Sequence, residues 1–124
     1  MEASTNNKVV INLMTGHEDA DKVTIALLVG TAALDQGKQV TTFLTKEAVR
    51  LALPGYADAI ESAGAPPVSR LIEQYREGGG ELFVCPICFN ARQLDEGALV
   101  SNAKIAGATP LWEWIGEGAT VFSY

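Results

Sequence analysis

The chain has 124 residues, 48% of them hydrophobic and 19% charged, with a formal net charge of -6. That length holds one core and not two, and the balance of apolar to charged residues excludes disorder over most of the chain. The acidic charge, with no run of Lys or Arg, argues against direct nucleic-acid binding and against docking on an anionic membrane surface.

Residues 1–7 are polar, lack the apolar region of a secretory signal and are predicted to be a disordered tail on a single domain spanning 1–124. Residues 8–14 read as a buried strand, nearly continuous in apolar character, as parallel strands covered on both faces are. A polar loop, 15–19, leads to a long helix over 21–36, with Gly37 where a helix stop is expected. The longest apolar stretch, 25–34, is broken by Gly30 and Thr31 and is too short to span a bilayer. A cytoplasmic location, where thiols stay reduced, is therefore expected.

Residues 40–44 give a second strand, and Thr45 is placed as the cap of a short helix over 46–53, stopped by Pro54-Gly55. The segment 56–67 is irregular. Val68, Leu71, Ile72 and Tyr75 then fall at i, i+3, i+4 and i+7, which predicts an amphipathic helix over 68–77 ended by Gly78-Gly79-Gly80. Strand three covers 81–85, and Pro86 opens a helix running towards Leu94. A fourth strand is expected at 104–106, a helix from Thr109-Pro110 to Ile115, and a fifth strand at 119–123.

This β-α-β-α-α-β-α-β-α-β order predicts an α/β fold: a three-layer α/β/α sandwich around a mostly parallel five-stranded sheet. Its crossovers are right-handed, and its chemistry gathers at the carboxyl ends of the strands, at 15–19, 45–46, 85–88 and 107–110. The first helix is apolar nearly all round. Either it is a deep core helix or its second cover is another copy of the chain, and a homo-oligomer is the expectation kept.

Both cysteines lie in Cys85-Pro86-Ile87-Cys88, where the third strand turns into a helix. A thiol there faces the positive end of the helix dipole, which favours the thiolate that attacks, binds metal or carries sulfur. The bland reading of Cys85 is a small apolar filler. The strand-end position and the intracellular CxxC spacing weigh against it. Cys88 lies one helical turn on, placed to resolve a mixed disulfide or persulfide on Cys85, or simply to pack. No cofactor is implied. A zinc site needs a second ligand pair that is missing, leaving only His17 with Glu18 or Asp19 to complete it, so no metal is assigned. His17, the only histidine, reads as a solvated loop residue.

Residues 8–16, the stretch through Phe43-Leu44-Thr45, the strand ending in Cys85 with Arg92 beyond it, and 107–124 together resemble the DsrE/DsrF-like family, over almost the whole chain. The resemblance implies a parallel α/β/α sandwich assembled as an oligomer. In its sulfur-relay branch a persulfide is carried on the cysteine ending the third strand, which is Cys85 here. Sulfur donor and acceptor proteins are the implied partners, in a sulfurtransferase or carrier role. The continuation Pro86-Ile87-Cys88 departs from the relay members and leaves room for dithiol chemistry. A non-catalytic oligomeric module that binds a small ligand or partner is the third reading.

Overall fold

Five strands build the sheet of the computed structural model, which describes residues 7–124. They are β1 (Lys8–Leu13), β2 (Gln39–Leu44), β3 (Glu81–Val84), β4 (Ala103–Ile105) and β5 (Thr120–Ser123), in the order β4-β3-β2-β1-β5. All four pairings are parallel, in register Val10 with Thr41, Phe43 with Phe83, Val84 with Ile105 and Val10 with Val121. The expected tail falls outside the described residues except for Asn7, whose carbonyl accepts from the Gln39 N–H at 2.9 Å.

One face of the sheet carries the main core. Val9, Ile11 and Leu13 of β1, Val40 and Leu44 of β2, and Leu82 and Val84 of β3 are all buried against helices. The period of two puts these alternate side chains on one face. Helix α1 (Ala20–Asp35) is opened by Asp19, whose carboxylate accepts from the Lys22 N–H at 3.1 Å. It packs on β1, β2 and helix α2 (Val68–Glu77). Gly30 brings it close: a β-carbon there would stand 3.0 Å from Ile11 Cδ1 and 3.1 Å from Tyr75 Cε1. Tyr75 of α2 is fully buried, yet its hydroxyl donates to the Glu81 carbonyl at 2.7 Å and accepts from Thr42 Oγ1 at 2.9 Å.

The opposite face holds Val10, Thr41 and Phe83, all buried, and helix α4 (Ala108–Ile115) lies against it at Phe83. Trp114 meets Phe83 edge-on at 6.4 Å between ring centroids, and Lys8 Nζ donates to the Trp114 carbonyl at 2.6 Å. These contacts complete the three layers.

Two local expectations are corrected. Residues 46–53 are not an α-helix: Lys46–Ala52 forms a 3₁₀ helix, with Ala48 N–H on Thr45 O and Leu53 N–H on Arg50 O, both at 3.0 Å. Lys46 sits at φ +50°, outside the right-handed region, so the first turn cannot start as α, and Thr45 makes no side-chain cap. The helix after Cys85, α3 (Pro86–Ala91), is also shorter than expected. Arg92 ends it, and Gln93 at φ +55° reverses the chain before Leu94. Further 3₁₀ turns occur at Tyr56–Ala59 and Glu96–Ala98. Among the described residues no helix is long and apolar enough to cross a membrane.

Candidate functional site

The ladder continues one residue past the strands. Thr45 N–H donates to Leu13 O at 3.1 Å, Cys85 N–H to Leu44 O at 3.0 Å, and Ala106 N–H to Val84 O at 3.0 Å. Thr45, Cys85 and Ala106 therefore stand in one row at the carboxyl edge, where an open sheet of this kind gathers its chemistry. Cys85 ends β3, which lies between β2 and β4.

Cys85 is the residue that caps α3, at φ -61° and ψ 119°, and its carbonyl accepts the first helical bond, from Phe89 N–H at 3.0 Å. Pro86 takes the first helical position, where a missing N–H costs nothing. Cys88 is then the third helical residue, the position a cap side chain faces. The structure thus sets the two predicted cysteines at the cap and third positions of one helical turn. Both thiols are free and partly buried, and both touch the edge of the main core. Phe89 is fully buried and roots the turn, whereas Ile87, between the cysteines, is 78% exposed. Gly107 approaches from the β4–α4 junction, where a β-carbon would lie 3.3 Å from Pro86 Cδ.

Around this turn is a charged network. Arg92 donates from Nε to Glu47 Oε2 at 2.6 Å and from Nη1 to the Cys88 carbonyl at 3.1 Å. Arg50 donates from Nε to the other oxygen of Glu47, at 2.7 Å. The Arg92 hydrogen bond, then that of Arg50, holds the Glu47 carboxyl below the usual carboxylate range. Arg92 in turn is held above its ordinary value by its hydrogen bond to Glu47.

Beyond Glu47 opens a cleft of about 520 Å³ lined by His17, Glu18, Glu47, Arg50 and Tyr56. His17 is exposed but not loose. Its ring stacks on Tyr56 at 3.9 Å and 14°, its Nε2 lies 2.9 Å from the Tyr56 carbonyl, and its N–H donates to the Tyr56 hydroxyl at 2.9 Å. Gly16 leaves room for that hydroxyl, since a β-carbon there would collide with it unless the tyrosine shifted. The structure therefore turns His17 onto Tyr56, and among the described residues no three His, Cys, Asp or Glu side chains are grouped to hold a metal ion.

Sequence reasoning named Cys85 and Cys88 as the site, cited Arg92 only within the family resemblance, and did not name Glu47, Arg50 or Tyr56. The i, i+3 spacing of Glu47 and Arg50 was the one local signal available. Tyr56 sits in the stretch that has no periodicity.

Comparison with known proteins places this geometry in a family. The model of the DsrE/DsrF-like family matches residues 7–124. The uncharacterized protein MK0008 of Methanopyrus kandleri is 29% identical over 99 residues, 80% of this chain and 78% of that protein. The uncharacterized protein MJ0760 of Methanocaldococcus jannaschii is 25% identical over 103 residues, and the match spans 83% of this chain but only 38% of that longer protein. Among solved structures, the ychN protein from E. coli superposes with a TM-score of 0.77 at 18% identity, covering 95% of this chain and 99% of that one. MTH1491 from Methanobacterium thermoautotrophicum, a protein of unknown function, superposes at 0.64 with 13% identity, covering 96% and 100%. At these identities the two structures speak for the fold.

Proposed function

The chain belongs to the DsrE/DsrF-like family, and from that premise we propose that it handles sulfane sulfur, with Cys85 accepting a persulfide sulfur and passing it on. The observation that carries this reading is the position of Cys85: a free, partly exposed thiol ending an inner strand at the carboxyl edge. The Cys85 thiolate attacks the terminal sulfur of a donor persulfide, R–S–SH. A new S–S bond forms on Cys85, the donor S–S bond breaks, and the donor leaves as thiolate. An acceptor thiolate then takes the outer sulfur by the same exchange. Transfer of this kind belongs in a reducing cytoplasm.

The test is mass spectrometry after incubation with a persulfide donor. Wild type and Cys88→Ser are expected to gain one sulfur atom on Cys85, and Cys85→Ser none. A Cys85 that never gains sulfur ends the proposal.

The cap and third positions of one helical turn, held by the two free thiols, favour a second reading, dithiol redox chemistry. Without any sulfur transfer, Cys85 thiolate attacks a substrate disulfide and Cys88 thiolate attacks the resulting mixed disulfide at Cys85, closing a Cys85–Cys88 disulfide and releasing the substrate as two thiols. Two external thiols reduce the disulfide. This reading requires a reversible disulfide on redox titration, and two free thiols under every condition exclude it.

Assembly as a homo-oligomer is part of the proposal. Helix α1 leaves Ile25 and Leu28 exposed at 46% and 42%, and β5 leaves Val121 and Phe122 uncovered. Sedimentation of an Ile25→Glu, Leu28→Glu variant is expected to show a smaller species than wild type.

A further inference from the structure

We infer that Glu47 is the positioning residue of the cysteine turn, acting through Arg92 to hold Cys88 in place beside Cys85. The inference rests on the sulfur-handling reading for its purpose, but its geometry stands alone.

Helix α3 has six residues and one fully buried side chain, Phe89. So short a helix cannot hold itself, and its second attachment is polar. A single guanidinium, that of Arg92, reaches from Glu47 Oε2 at 2.6 Å to the Cys88 carbonyl at 3.1 Å. It ties the loop after β2 to the backbone of the second cysteine. Arg50 fixes the other oxygen of Glu47, so the carboxylate is oriented before Arg92 reaches it.

The backbone supplies an independent observation. Among the described residues two non-glycine positions have positive φ, Lys46 at +50° and Gln93 at +55°. One immediately precedes Glu47, and the other immediately follows Arg92. Neither is Asn or Asp, the residues that enter this region most readily. Strained backbone persists where surrounding structure imposes it, and it collects at functional sites. Here both strained residues flank the two ends of one ion pair. No glycine relieves either, so the chain holds this geometry by contacts alone.

The two cysteines depend on the tie unequally. Cys85 is fixed to the sheet by its own N–H on Leu44 O. Cys88 is held by α3 and, through its carbonyl, by Arg92. Loss of the tie should loosen Cys88 and leave Cys85 where it is.

The measurement is the ratio of Cys88 to Cys85 alkylation by iodoacetamide on the native, full-length protein, read by peptide mass spectrometry. Glu47→Ala and Arg92→Lys are each expected to raise that ratio at least about twofold, the low end of coupling through a shared network. Glu47→Gln, which keeps an oxygen for Arg92, should return it towards wild type. Arg76→Ala, which removes a comparable ion pair with Glu73 on α2, should leave it unmoved. General destabilisation would expose both thiols together and pull the ratio towards its value in the denaturant-unfolded protein, a limit that loosening of Cys88 alone passes. An unchanged ratio in Glu47→Ala and Arg92→Lys overturns the inference. Alkylation needs no persulfide, so this failure is read separately from failure of sulfur loading.

Discussion

The layer of α1 and α2 and the segments that follow β3 are built on different terms. In the first, each element sinks several side chains into one core: five residues of α1 and three of α2 are buried. In the second, α3 buries Phe89 alone, α4 buries none, and all four residues of β5 are exposed. Apolar burial is non-directional and forgiving. Where it runs out, position has to be fixed by directed bonds, and the cysteines sit where that change occurs. The contrast explains why the cysteine turn is fastened by Arg92 and Glu47: a hydrocarbon seal around the thiols would hold them equally well and make them unreachable.

The comparison can be broken most sharply at Phe89. Phe89→Ala removes the one core anchor of α3 and is expected to cost about 3–5 kcal/mol in denaturant unfolding. A loss below about 1 kcal/mol would mean that α3 is not attached through the core at all. On the deeper side, Tyr75→Phe strips the partner from Thr42 and from the Glu81 carbonyl and should cost about 1–3 kcal/mol. The same substitution is volume-neutral, so a negligible effect would show that water replaces the hydroxyl.

Acid provides a gentler probe of the polar side. Glu47 is held below its ordinary value of 4.5, so its carboxylate is favoured in the folded chain. The stability it lends is complete above that ordinary value and is lost as pH falls through the lowered one. Its side chain is 37% exposed, which keeps the effect small. The expected outcome is a shallower loss of stability below pH 4.5 in Glu47→Gln than in wild type, measured by denaturation at a series of pH values. Glu73, lowered by Arg76, contributes in the same direction and is the matched control. Smallest of all should be Trp112→Ser. That indole is 71% exposed on α4, and its removal should shift stability by no more than about 0.5 kcal/mol. A larger change would reveal cover over α4 that the single chain does not show.

The same division decides what could be read in advance. Helix α2 was legible because its apolar residues repeat at the helical period, and β1 because a buried parallel strand is apolar throughout. The place of Cys85 and Cys88 at a strand-to-helix turn was legible because strand, proline and helix adjoin in the chain. The 3₁₀ form of Lys46–Ala52 was not legible: it follows from the left-handed Lys46, and no residue type at that position announces it. Nor was the cleft. His17 and Tyr56, and likewise Glu47 and Arg92, meet only because β1, β2 and β3 lie side by side, and pattern along the chain carries no strand order.

The position of β5 has a consequence for how the molecule is made. Val9 pairs with Thr120, and Asn12 with Ser123, so the strand synthesised first among the five gains its second neighbour from the one synthesised last. That closure joins the strands farthest apart in the chain and is the most entropically demanding pairing in the sheet. A nascent chain stalled before Thr120 would hold β1 with one flank bare, a hydrophobic ribbon ready to recruit a stray strand.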